Sequence, residues 1–487
     1  MQIQTPAFAI DHAVCEQARL ARDARFDGLF FTAVTSTGIY CRPVCPAPTP
    51  KAKNVTYFTN APAAAAAGFR PCLRCRPELA PGSPSHRAGS ELVAAALRMI
   101  EDGALDVSSV AALATRVGVG ERHLRRLFVE QLGAGPLDVA ATRRVLFAKQ
   151  LIGETALPMT EVAAAAGYRS LRRFNAAMQS VYGVAPRELR RREIPATGSD
   201  ELILRLPYRE PYDFNGLLEF FARRAIPGVE SIADGCYRRV IAIRNAIGCY
   251  SVRALAKKSA LELRVRHPHP AALLEIVTRV RRQFDVDAMP HVIAARFRRS
   301  TLLRPMLRRH AGVRVPGCWD GFEIAVRAIL GQQVSVAAAR TLAARIVNAF
   351  GERIDPPIAD GLHALFPTPQ ALLHADLESL GITRARAATI RSVAAAVIAG
   401  DVHFRPEQTL LDFVGAWVRI PGIGEWTAHY IALRALGKPD AFPAADLILR
   451  RIAGNGEMLS TRELDRLSTE WSPWRAYAVI LLWRSAA

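Results

Sequence analysis

The sequence IPGIGEWTAHYIALRALGKPDAFPAADLILR, residues 420–450, decides the fold of the C-terminal part of the chain. Its Pro-Gly-Ile-Gly segment predicts a turn between a helix that ends near Val418 and a helix that runs from Glu425 to about Leu436. A turn of this kind directs backbone N–H groups outward at a helix N-terminus. The helix dipole there favours a bound phosphate, so the segment predicts a phosphate site.

A carboxylate, Asp446, lies on the far side of the loop that follows this pair of helices, and its simplest interpretation is the N-cap of a helix over residues 447–453. Pro-Gly-Ile-Gly alone is common between helices. Combined with Trp426, Tyr430 and Asp446, it resembles the helix-hairpin-helix DNA glycosylases, and among them the AlkA-type 3-methyladenine DNA glycosylase II. The resemblance implies that Asp446 stabilises positive charge on the sugar while a damaged base leaves. It also implies that the hairpin contacts DNA, through Gly422, Gly424 and Thr427.

A glycosylase has to extrude its target nucleotide and stack the base, and electron-rich rings suit the positive charge of an alkylated purine. The residues that the resemblance assigns to base stacking are Trp426, Tyr430, Trp483 and Phe220. Taken singly, any of these rings could be a core residue. The resemblance favours the cleft for Trp426 and Trp483, whereas Tyr430 and Phe220 stay open between cleft and core, since Phe220 shares an ordinary apolar stripe with Leu217 and Phe221. Gln333 stands where the best-known AlkA enzyme wedges a leucine into the duplex. Glutamine can hydrogen-bond the orphaned base but lacks the apolar wedge.

Three further expectations concern the chemistry of this part of the chain. Relatives that also nick DNA carry a lysine nucleophile just after the hairpin, where this chain has Trp426, so the resemblance implies a monofunctional enzyme. No cysteine follows Cys318, so an iron–sulfur cluster is not expected. By resemblance, a monovalent cation is expected at the hairpin carbonyls, near Val418, Ile420 and Ile423.

Four of the eight cysteines form two close pairs, Cys41-x3-Cys45 and Cys72-x2-Cys75, a spacing typical of a zinc site with four thiolates. A purely structural zinc is one interpretation. The surrounding sequences, FFTAVTSTGIYCRPVC and GFRPCLRC, resemble the zinc module of the Ada-type alkylation-response protein. This resemblance implies that Cys41 accepts one methyl group from a methylphosphotriester in DNA. Nearby basic residues could hold phosphates or be solvated surface charges: Arg42, Lys51, Lys53, Arg70, Arg74 and Arg76.

Residues 89–192 contain two similar units, in each of which a short apolar helix, a glycine turn and a basic helix follow one another. The basic helices are predicted at residues 121–132 and 170–181. A plain helical bundle is the alternative, but the repeated pattern and the closing YGVAPRELRRR resemble the AraC-type DNA-binding domain. The residues expected to contact DNA are Arg122, Arg125, Arg172 and Arg173.

The middle of the chain alternates between strand and helix patterns. Strands are predicted at residues 201–206, 240–245, 248–253 and 261–265, and helices near residues 214–224 and 271–284. This α+β segment, including its EPYDF motif, resembles the N-terminal domain of the AlkA-type glycosylase. Proline, glycine and serine predict one linker at residues 81–85, between the cysteine-rich part and the two helical units, and another at residues 194–199, before the α+β segment.

Composition agrees with a polyanionic partner. The 487 residues carry a formal net charge of +20, and the isoelectric point is about 10.3. No stretch approaches the ~20 apolar residues of a membrane span, and the N-terminus lacks the pattern of a secretory signal. We therefore expect a cytoplasmic protein, associated with the bacterial nucleoid and not with a membrane.

Together these patterns predict a multidomain protein, mainly α with α+β parts. The expected domains are a zinc module (1–80), a double helix-turn-helix (88–193), an α+β domain (200–315) and an all-helical helix-hairpin-helix domain (316–487). The expected function is release of alkylated purines from DNA, fused to a methylphosphotriester-accepting transcription activator. Expected partners are double-stranded DNA, with alkylated bases, methylphosphotriesters or promoter sites, and RNA polymerase.

Two alternatives remain open from the sequence. The chain could be mainly a methylation-switched activator with weak glycosylase activity, or simply a zinc-containing DNA-binding protein. The sequence lacks the Pro-Cys-His-Arg motif of O6-methylguanine methyltransferases, so repair of O6-methylguanine is not expected.

Overall fold

The computed structural model describes residues 11–83, 85, 89–190, 201–255, 258–359 and 361–486. Its contacts divide the chain into two compact units. The first holds the chain up to Arg209 with Leu255–Thr278 and Val286–Ala288, and the second holds Glu210–Ala254, Arg279–Asp285 and Met289–Ala487. The predicted α+β domain contributes residues to both units, so the predicted domain limits remain predictions. The predicted linker at 194–199 lies outside the described residues, and the one at 81–85 is described only in part.

The first unit begins with a small four-stranded sheet. Its elements are α1 (His12–Leu20), β1 (Phe31–Val34), β2 (Ile39–Cys41), β3 (Val55–Phe58), α2 (Ala61–Ala66) and β4 (Arg70–Pro71), and the strand order is β3-β1-β2-β4. Strands β2 and β4 are parallel, with Tyr40 opposite Pro71. Strand β2 ends at Cys41 and strand β4 ends one residue before Cys72, so this register brings the two cysteines together at one end of the sheet.

Seven α-helices follow among the described residues of the first unit: α3 (Glu91–Glu101), α4 (Ala104–Val107), α5 (Val110–Arg116), α6 (Glu121–Leu132), α7 (Pro136–Glu154), α8 (Met159–Ala165) and α9 (Leu171–Tyr182). The two predicted basic helices are confirmed as α6 and α9, to within one residue at each end. Each buries an apolar residue at every fourth position, such as Leu124 and Phe128 in α6 and Phe174 and Met178 in α9. Their basic faces are thereby left on the surface.

The first unit ends with a strand pair. Strand β5 (Glu201–Pro207) pairs antiparallel with β9 (Ala260–Arg266), in a register that places Leu204 opposite Leu263. Both leucines are fully buried. The two predicted strands are therefore confirmed, each extended by a residue or two.

The second unit contains an antiparallel meander of β6 (Glu230–Ala233), β7 (Cys236–Ile243) and β8 (Ala246–Ala254). Strand β6 was not predicted, because it is short and begins with a charged residue. That residue, Glu230, is buried, and its carboxylate accepts hydrogen bonds from Tyr237 at 2.6 Å and Arg239 at 2.9 Å. Burial would raise the pKa of Glu230, but Arg327 and Arg239 outweigh it and lower that pKa to about 2.

The other elements of the second unit are helical. They are α10 (Phe214–Ala222), the end of α11 (Leu273–Gln283), α12 (Pro290–Phe297), α13 (Leu303–Arg309), α14 (Gly321–Leu330), α15 (Val336–Phe350), α16 (Pro369–Leu372), α17 (Arg384–Ala399), α18 (Leu410–Trp417), α19 (Glu425–Ala435), α20 (Leu447–Ala453), α21 (Thr461–Ser468) and α22 (Arg475–Ser485). Helices α18 and α19 form the predicted hairpin, each ending within one residue of its predicted limit. No helix in the described part of the chain is long and apolar enough to cross a membrane.

Candidate functional site

The hairpin turn depends on one glycine more than the other. Gly422 has a φ of +87°, and a Cβ there would lie 2.0 Å from Thr389 Oγ1, so only glycine fits. Gly424 has a φ of −92° and open space around its Cβ position. Of the two glycines, only Gly422 therefore needs the backbone freedom of glycine. In the described chain no side chain caps α19, which leaves the N–H groups of its first turn available to a ligand.

A neighbouring loop holds the hairpin turn in place. Gln332 Nε2 donates to the Gly422 carbonyl and to Thr427 Oγ1, both at 3.1 Å. Thr427 is only 2% exposed. The predicted DNA contact of Thr427 is thus corrected for its side chain: the hydroxyl faces Gln332 inside the protein and is not presented at the surface.

Four donors converge on the carboxylate of Asp446, which is 9% exposed. Its Oδ1 accepts from the backbone N–H groups of Ile448 and Leu449, both at 3.0 Å, and from Trp483 Nε1 at 3.3 Å. Its Oδ2 accepts from Trp426 Nε1 at 2.9 Å. The N-cap interpretation is confirmed, and the cap also lies among the predicted rings. The donors fix the orientation of the carboxylate.

The three rings predicted on the hairpin and the last helix lie together beside this carboxylate. Trp426 and Tyr430 are stacked, with centroids 5.4 Å apart and planes 15° apart. Tyr430 and Trp483 are 6.1 Å apart at 49°. All three are partly exposed. The cluster therefore offers aromatic surface next to a fixed negative charge, although base stacking itself stays a prediction.

Phe220 lies against two arginines. The guanidinium of Arg224 is 3.7 Å from the centroid of its ring, and that of Arg434 is 4.7 Å away. Arg224 thus covers part of the surface that Phe220 was expected to offer to a base. Arg434 also donates to the Tyr430 hydroxyl at 2.9 Å. Sequence reasoning missed both arginines; the spacing of four between Tyr430 and Arg434 on α19 was the available signal.

These arginines alter the titration of the cluster. Burial alone would raise the pKa of Tyr430, but the positive charges of Arg434, Arg224 and Arg327 outweigh it and lower that pKa. Burial lowers the pKa of Arg224 to about 10, so Arg224 keeps its charge at neutral pH. The cluster therefore has a carboxylate beside its tryptophans and guanidinium groups beside Tyr430. Such an arrangement can stabilise opposite charges that develop on two parts of one substrate.

Gln333 lies in the turn between α14 and α15, where it is exposed and has a φ of +55°. The preceding Gln332 is anchored on both sides, because its carbonyl accepts a hydrogen bond from Arg386. The anchored turn holds Gln333 outward, next to the hairpin. Its insertion into a duplex remains a prediction.

The four paired cysteines converge as predicted. Their Sγ atoms all lie within 4.8 Å of one another, and Cys72 and Cys75 are buried whereas Cys41 and Cys45 are half-buried. A set of four thiols with no other ligand type suits zinc. The Arg42 backbone N–H donates to Cys75 Sγ at 3.3 Å, which would further stabilise a thiolate.

Two of the six basic residues near the cysteines are engaged within the protein. Arg42 Nε donates to Asp27 at 2.8 Å, and Arg76 Nε donates to Glu78 at 2.9 Å. These two are poor candidates for holding phosphate. The four that lie exposed are Lys51, Lys53, Arg70 and Arg74.

The arginines predicted to contact DNA in the helix-turn-helix part all lie exposed on α6 and α9. Arg125 pairs with Glu121 at 2.6 Å, which is a weak surface interaction that a phosphate could replace. On α9, the structure places Arg172 and Arg173 in the first turn, where recognition helices usually contact bases. Their contact with DNA stays a prediction.

Four family models match successive parts of the chain. The metal binding domain of Ada matches residues 14–78 and a helix-turn-helix domain matches residues 113–192. The AlkA N-terminal domain matches residues 203–320, and the HhH-GPD superfamily of base excision DNA repair proteins matches residues 326–473. Together the matches follow the predicted order of domains.

A probable bifunctional transcriptional activator/DNA repair enzyme AlkA from Mycobacterium tuberculosis is 39% identical to the chain, covering 97% of the chain and 96% of that protein. The chain belongs to the bifunctional AlkA family. DNA-3-methyladenine glycosylase 2 of Escherichia coli is 34% identical and covers 57% of the chain and 95% of itself. The family model that relates residues 14–78 to Ada describes its metal binding domain, and a match to that domain does not by itself establish methyl transfer.

Among solved structures, the 3-methyladenine DNA-glycosylase from Archaeoglobus fulgidus superimposes with a TM-score of 0.51 at 23% identity. The alignment covers 57% of the chain and 96% of that protein. At this identity the likeness concerns the fold alone. For the part of the chain that aligns, the likeness agrees with an AlkA fold.

Proposed function

We propose that this protein hydrolyses the N-glycosidic bond of alkylated purines in DNA, with 3-methyladenine as the representative substrate. The observation that carries the proposal is the cluster around Asp446, in which two indole N–H groups orient a carboxylate beside stacked rings. The name of the Escherichia coli relative supports the same activity, and that of the Mycobacterium tuberculosis relative supports a DNA repair enzyme.

In this proposal each part of the cluster has one task. The open N–H groups at the start of α19 hold a phosphate, and the rings receive the extruded base. As the bond between the sugar and the base breaks, the electron pair leaves with the base and positive charge develops on the sugar. Asp446 stabilises that charge, and a water oxygen then bonds to the sugar carbon and releases one proton to solvent. Because Trp426 stands where lyases carry lysine, no covalent enzyme intermediate is proposed.

The test is Asp446→Asn in the full-length protein. Loss of the carboxylate should slow base release from alkylated duplex DNA by roughly 10²–10³-fold or more, while binding to undamaged duplex is retained. Asp440→Asn is the matched control, because Asp440 pairs with Arg475 at 2.8 Å and takes no part in the cluster. Release at the wild-type rate by Asp446→Asn would contradict the role of Asp446.

We propose a second function for the cysteine cluster, transfer of a methyl group from a methylphosphotriester in DNA to Cys41. The observations that favour it are the half-buried position of Cys41 and the four exposed cations nearby. The four cysteines would hold zinc, which when bound keeps thiolates deprotonated. Cys41 Sγ attacks the methyl carbon, the carbon–oxygen bond breaks, and the phosphate oxygen keeps the electron pair. Each protein molecule would react once and act as a sensor.

Promoter recognition by α6 and α9 completes the proposal, with transcription activated after methylation. The names of the full-length relatives support an activator role. Contact with RNA polymerase and a monovalent cation at the hairpin carbonyls stay predictions. At one of those carbonyls, Ile420 O accepts the Ile423 N–H at 3.0 Å, which leaves its second lone pair for a cation.

A further inference from the structure

The ring of Tyr430 is partly covered by other protein groups, so its hydroxyl is the feature that matters for a ligand. Trp426 lies nearly parallel to the ring, with the two ring centroids 5.4 Å apart, and covers part of one face. The Arg434 guanidinium lies 5.7 Å from the centroid of the same ring. A base that enters the cluster therefore meets a tyrosine whose surroundings are already partly filled by protein.

The oxygen of the Tyr430 hydroxyl accepts a hydrogen bond within the protein, which leaves the hydroxyl proton to be accounted for. Arg434 Nη1 lies 2.9 Å from the Tyr430 oxygen, and a guanidinium can only donate, so this oxygen accepts. Arg434 cannot readily turn away, because it is 3% exposed and also donates to the carbonyls of Pro316 and Gly317. In the described part of the chain, no carbonyl or carboxylate accepts a hydrogen bond from the Tyr430 hydroxyl. Its proton is therefore left for a ligand.

The charges around this hydroxyl strengthen it as a donor. Burial raises the pKa of Tyr430, but Arg434, Arg224 and Arg327 lower it by more. A phenol with a lowered pKa forms stronger hydrogen bonds to an acceptor that gains electron density. A departing purine is such an acceptor, because the electron pair of the broken bond moves onto it.

We propose that Tyr430 is a catalytic residue that donates a hydrogen bond to a lone pair of the departing purine, and that Arg434 is its positioning residue. The proposal rests on the proposed glycosylase function and extends it to the leaving group. The bond between C1′ and the base nitrogen breaks, and a cationic base departs as a neutral molecule. Water oxygen bonds to C1′ and releases one proton to solvent. Tyr430 keeps its proton throughout.

The test uses full-length protein in single-turnover reactions on methylated duplex DNA, with released 3-methyladenine and 7-methylguanine measured separately. Tyr430→Phe keeps the ring and removes only the hydroxyl. We expect 7-methylguanine, the slower of the two to depart unaided, to be released roughly tenfold more slowly. The loss should be smaller for 3-methyladenine, and affinity for the duplex should not change.

Two further variants separate this role from a structural one. Arg434→Lys keeps a positive donor and should give a partial loss, again larger for 7-methylguanine, with no added loss when combined with Tyr430→Phe. Tyr212→Phe is the matched control, because the Tyr212 hydroxyl donates to the Phe284 carbonyl at 2.6 Å and lies outside the cluster. It should release both bases at the wild-type rate.

The possible outcomes distinguish the two proposals. If the wild-type protein is active and Tyr430→Phe matches it for both bases, the hydroxyl is idle and the inference is overturned while the glycosylase function stands. An equal loss for both bases with weaker duplex binding would also overturn it, since that pattern indicates a structural role. If the wild-type protein releases neither base, the proposed function fails and the inference fails with it.

Discussion

Each of the two tryptophans beside Asp446 has an aromatic ring and an indole N–H, and both features can contribute to the proposed base release. Their rings border the place proposed for the base, and their indole N–H groups end on different oxygens of the same carboxylate, at 2.9 Å from Trp426 and 3.3 Å from Trp483. A ring that also fixes the carboxylate couples the position of the base to the position of the charge. Replacement by another aromatic residue should therefore not be neutral.

Trp426→Phe separates these features, because phenylalanine keeps an aromatic face and removes the N–H. We expect base release to fall by roughly ten- to a hundredfold, the scale of one hydrogen bond to a charged group, with little change in duplex affinity. The measurement is the single-turnover rate constant for release of 3-methyladenine. Trp417→Phe is the control, since the Trp417 N–H is buried without a hydrogen-bond partner in the described chain. Equal rates for wild type and Trp426→Phe would show that the N–H is dispensable.

The role of a residue could be predicted when its partners stand close to it in the sequence, and was often missed when they come from a distant segment. Asp446 and the four cysteines stand in local patterns, and the structure places each of them in a cluster with its expected neighbours. The contact of Arg434 with Phe220 could not be predicted, because it joins segments about 200 residues apart, whereas Arg224 was missed although it follows Phe220 by only four residues. Thr427 was misjudged for a related reason, since its partner Gln332 comes from a loop about a hundred residues earlier.

At the scale of elements, the hairpin glycines offer a matched pair of substitutions. Gly422→Ala should destabilise the second unit by at least about 1 kcal/mol, because alanine is strained at a φ of +87° and its Cβ would meet Thr389. Gly424→Ala should leave stability almost unchanged, because its φ is ordinary and its surroundings are open. Thermal unfolding of the two full-length variants measures the difference. Equal destabilisation by both would contradict this description of the turn.

The segment that leads to Asp446 contains a group that titrates. His429 on α19 accepts the Phe442 N–H through Nδ1 at 3.2 Å, which requires an unprotonated nitrogen. Burial and then the charge of Arg475 lower the pKa of His429. The unfolded chain therefore binds the proton more readily, and the free energy of unfolding should fall as pH decreases below about 6.5.

The corresponding measurement compares unfolding temperatures at about pH 7.5 and about pH 5.5. Wild type should lose stability over this interval, whereas His429→Gln, which offers an acceptor that does not titrate, should lose less. The protection factor of the Phe442 N–H, which corrects the exchange rate for its intrinsic pH dependence, should fall in parallel at the lower pH in wild type. An identical pH response in the two proteins would assign the effect to other groups.

Elements were predictable wherever their periodicity was uninterrupted. Helices α6 and α20 begin and end where the sequence pattern indicates, because apolar spacing, caps and glycine agree. Strand β6 and the small sheet of the cysteine module were not predicted, since their strands have two to four residues and offer too short a pattern.

At the scale of the whole molecule, the cysteine module is joined to the helix-turn-helix part inside the first unit. Arg76, next to the predicted zinc ligand Cys75, pairs with Glu78 at 2.9 Å and lies 3.7 Å from Glu154 on α7. Lys149 of α7 approaches Glu78 at 3.9 Å, and Arg205 of β5 pairs with Glu154 at 2.6 Å. Both carboxylates are nearly buried, so a change at the cysteines can reach α7 through fixed charges.

The proposed switch at Cys41 can therefore change DNA binding in two ways. One is through the ion pairs that reach α7, and the other is through the charge of the zinc site itself. A zinc ion with four thiolates carries a formal charge of −2, which repels phosphate, and methylation of Cys41 halves that charge. Removing one unit charge about 5 Å from a phosphate is worth roughly 3 kcal/mol at an effective dielectric constant of about 20, before screening by salt. Because α6 and α9 supply specificity, the module needs only to add affinity.

The prediction is therefore that methylation of Cys41 tightens binding to promoter DNA by up to about a hundredfold at low salt. The protein is treated with methylphosphotriester DNA, a single modification at Cys41 is confirmed by mass, and promoter DNA is titrated before and after. Cys41→Ser should accept no methyl group and show no gain, provided that its zinc content is measured and matched. Cys318→Ser, outside the cysteine cluster, should behave as wild type. Fully methylated protein that binds promoter DNA no more tightly than unmodified protein would remove the basis for the regulatory function.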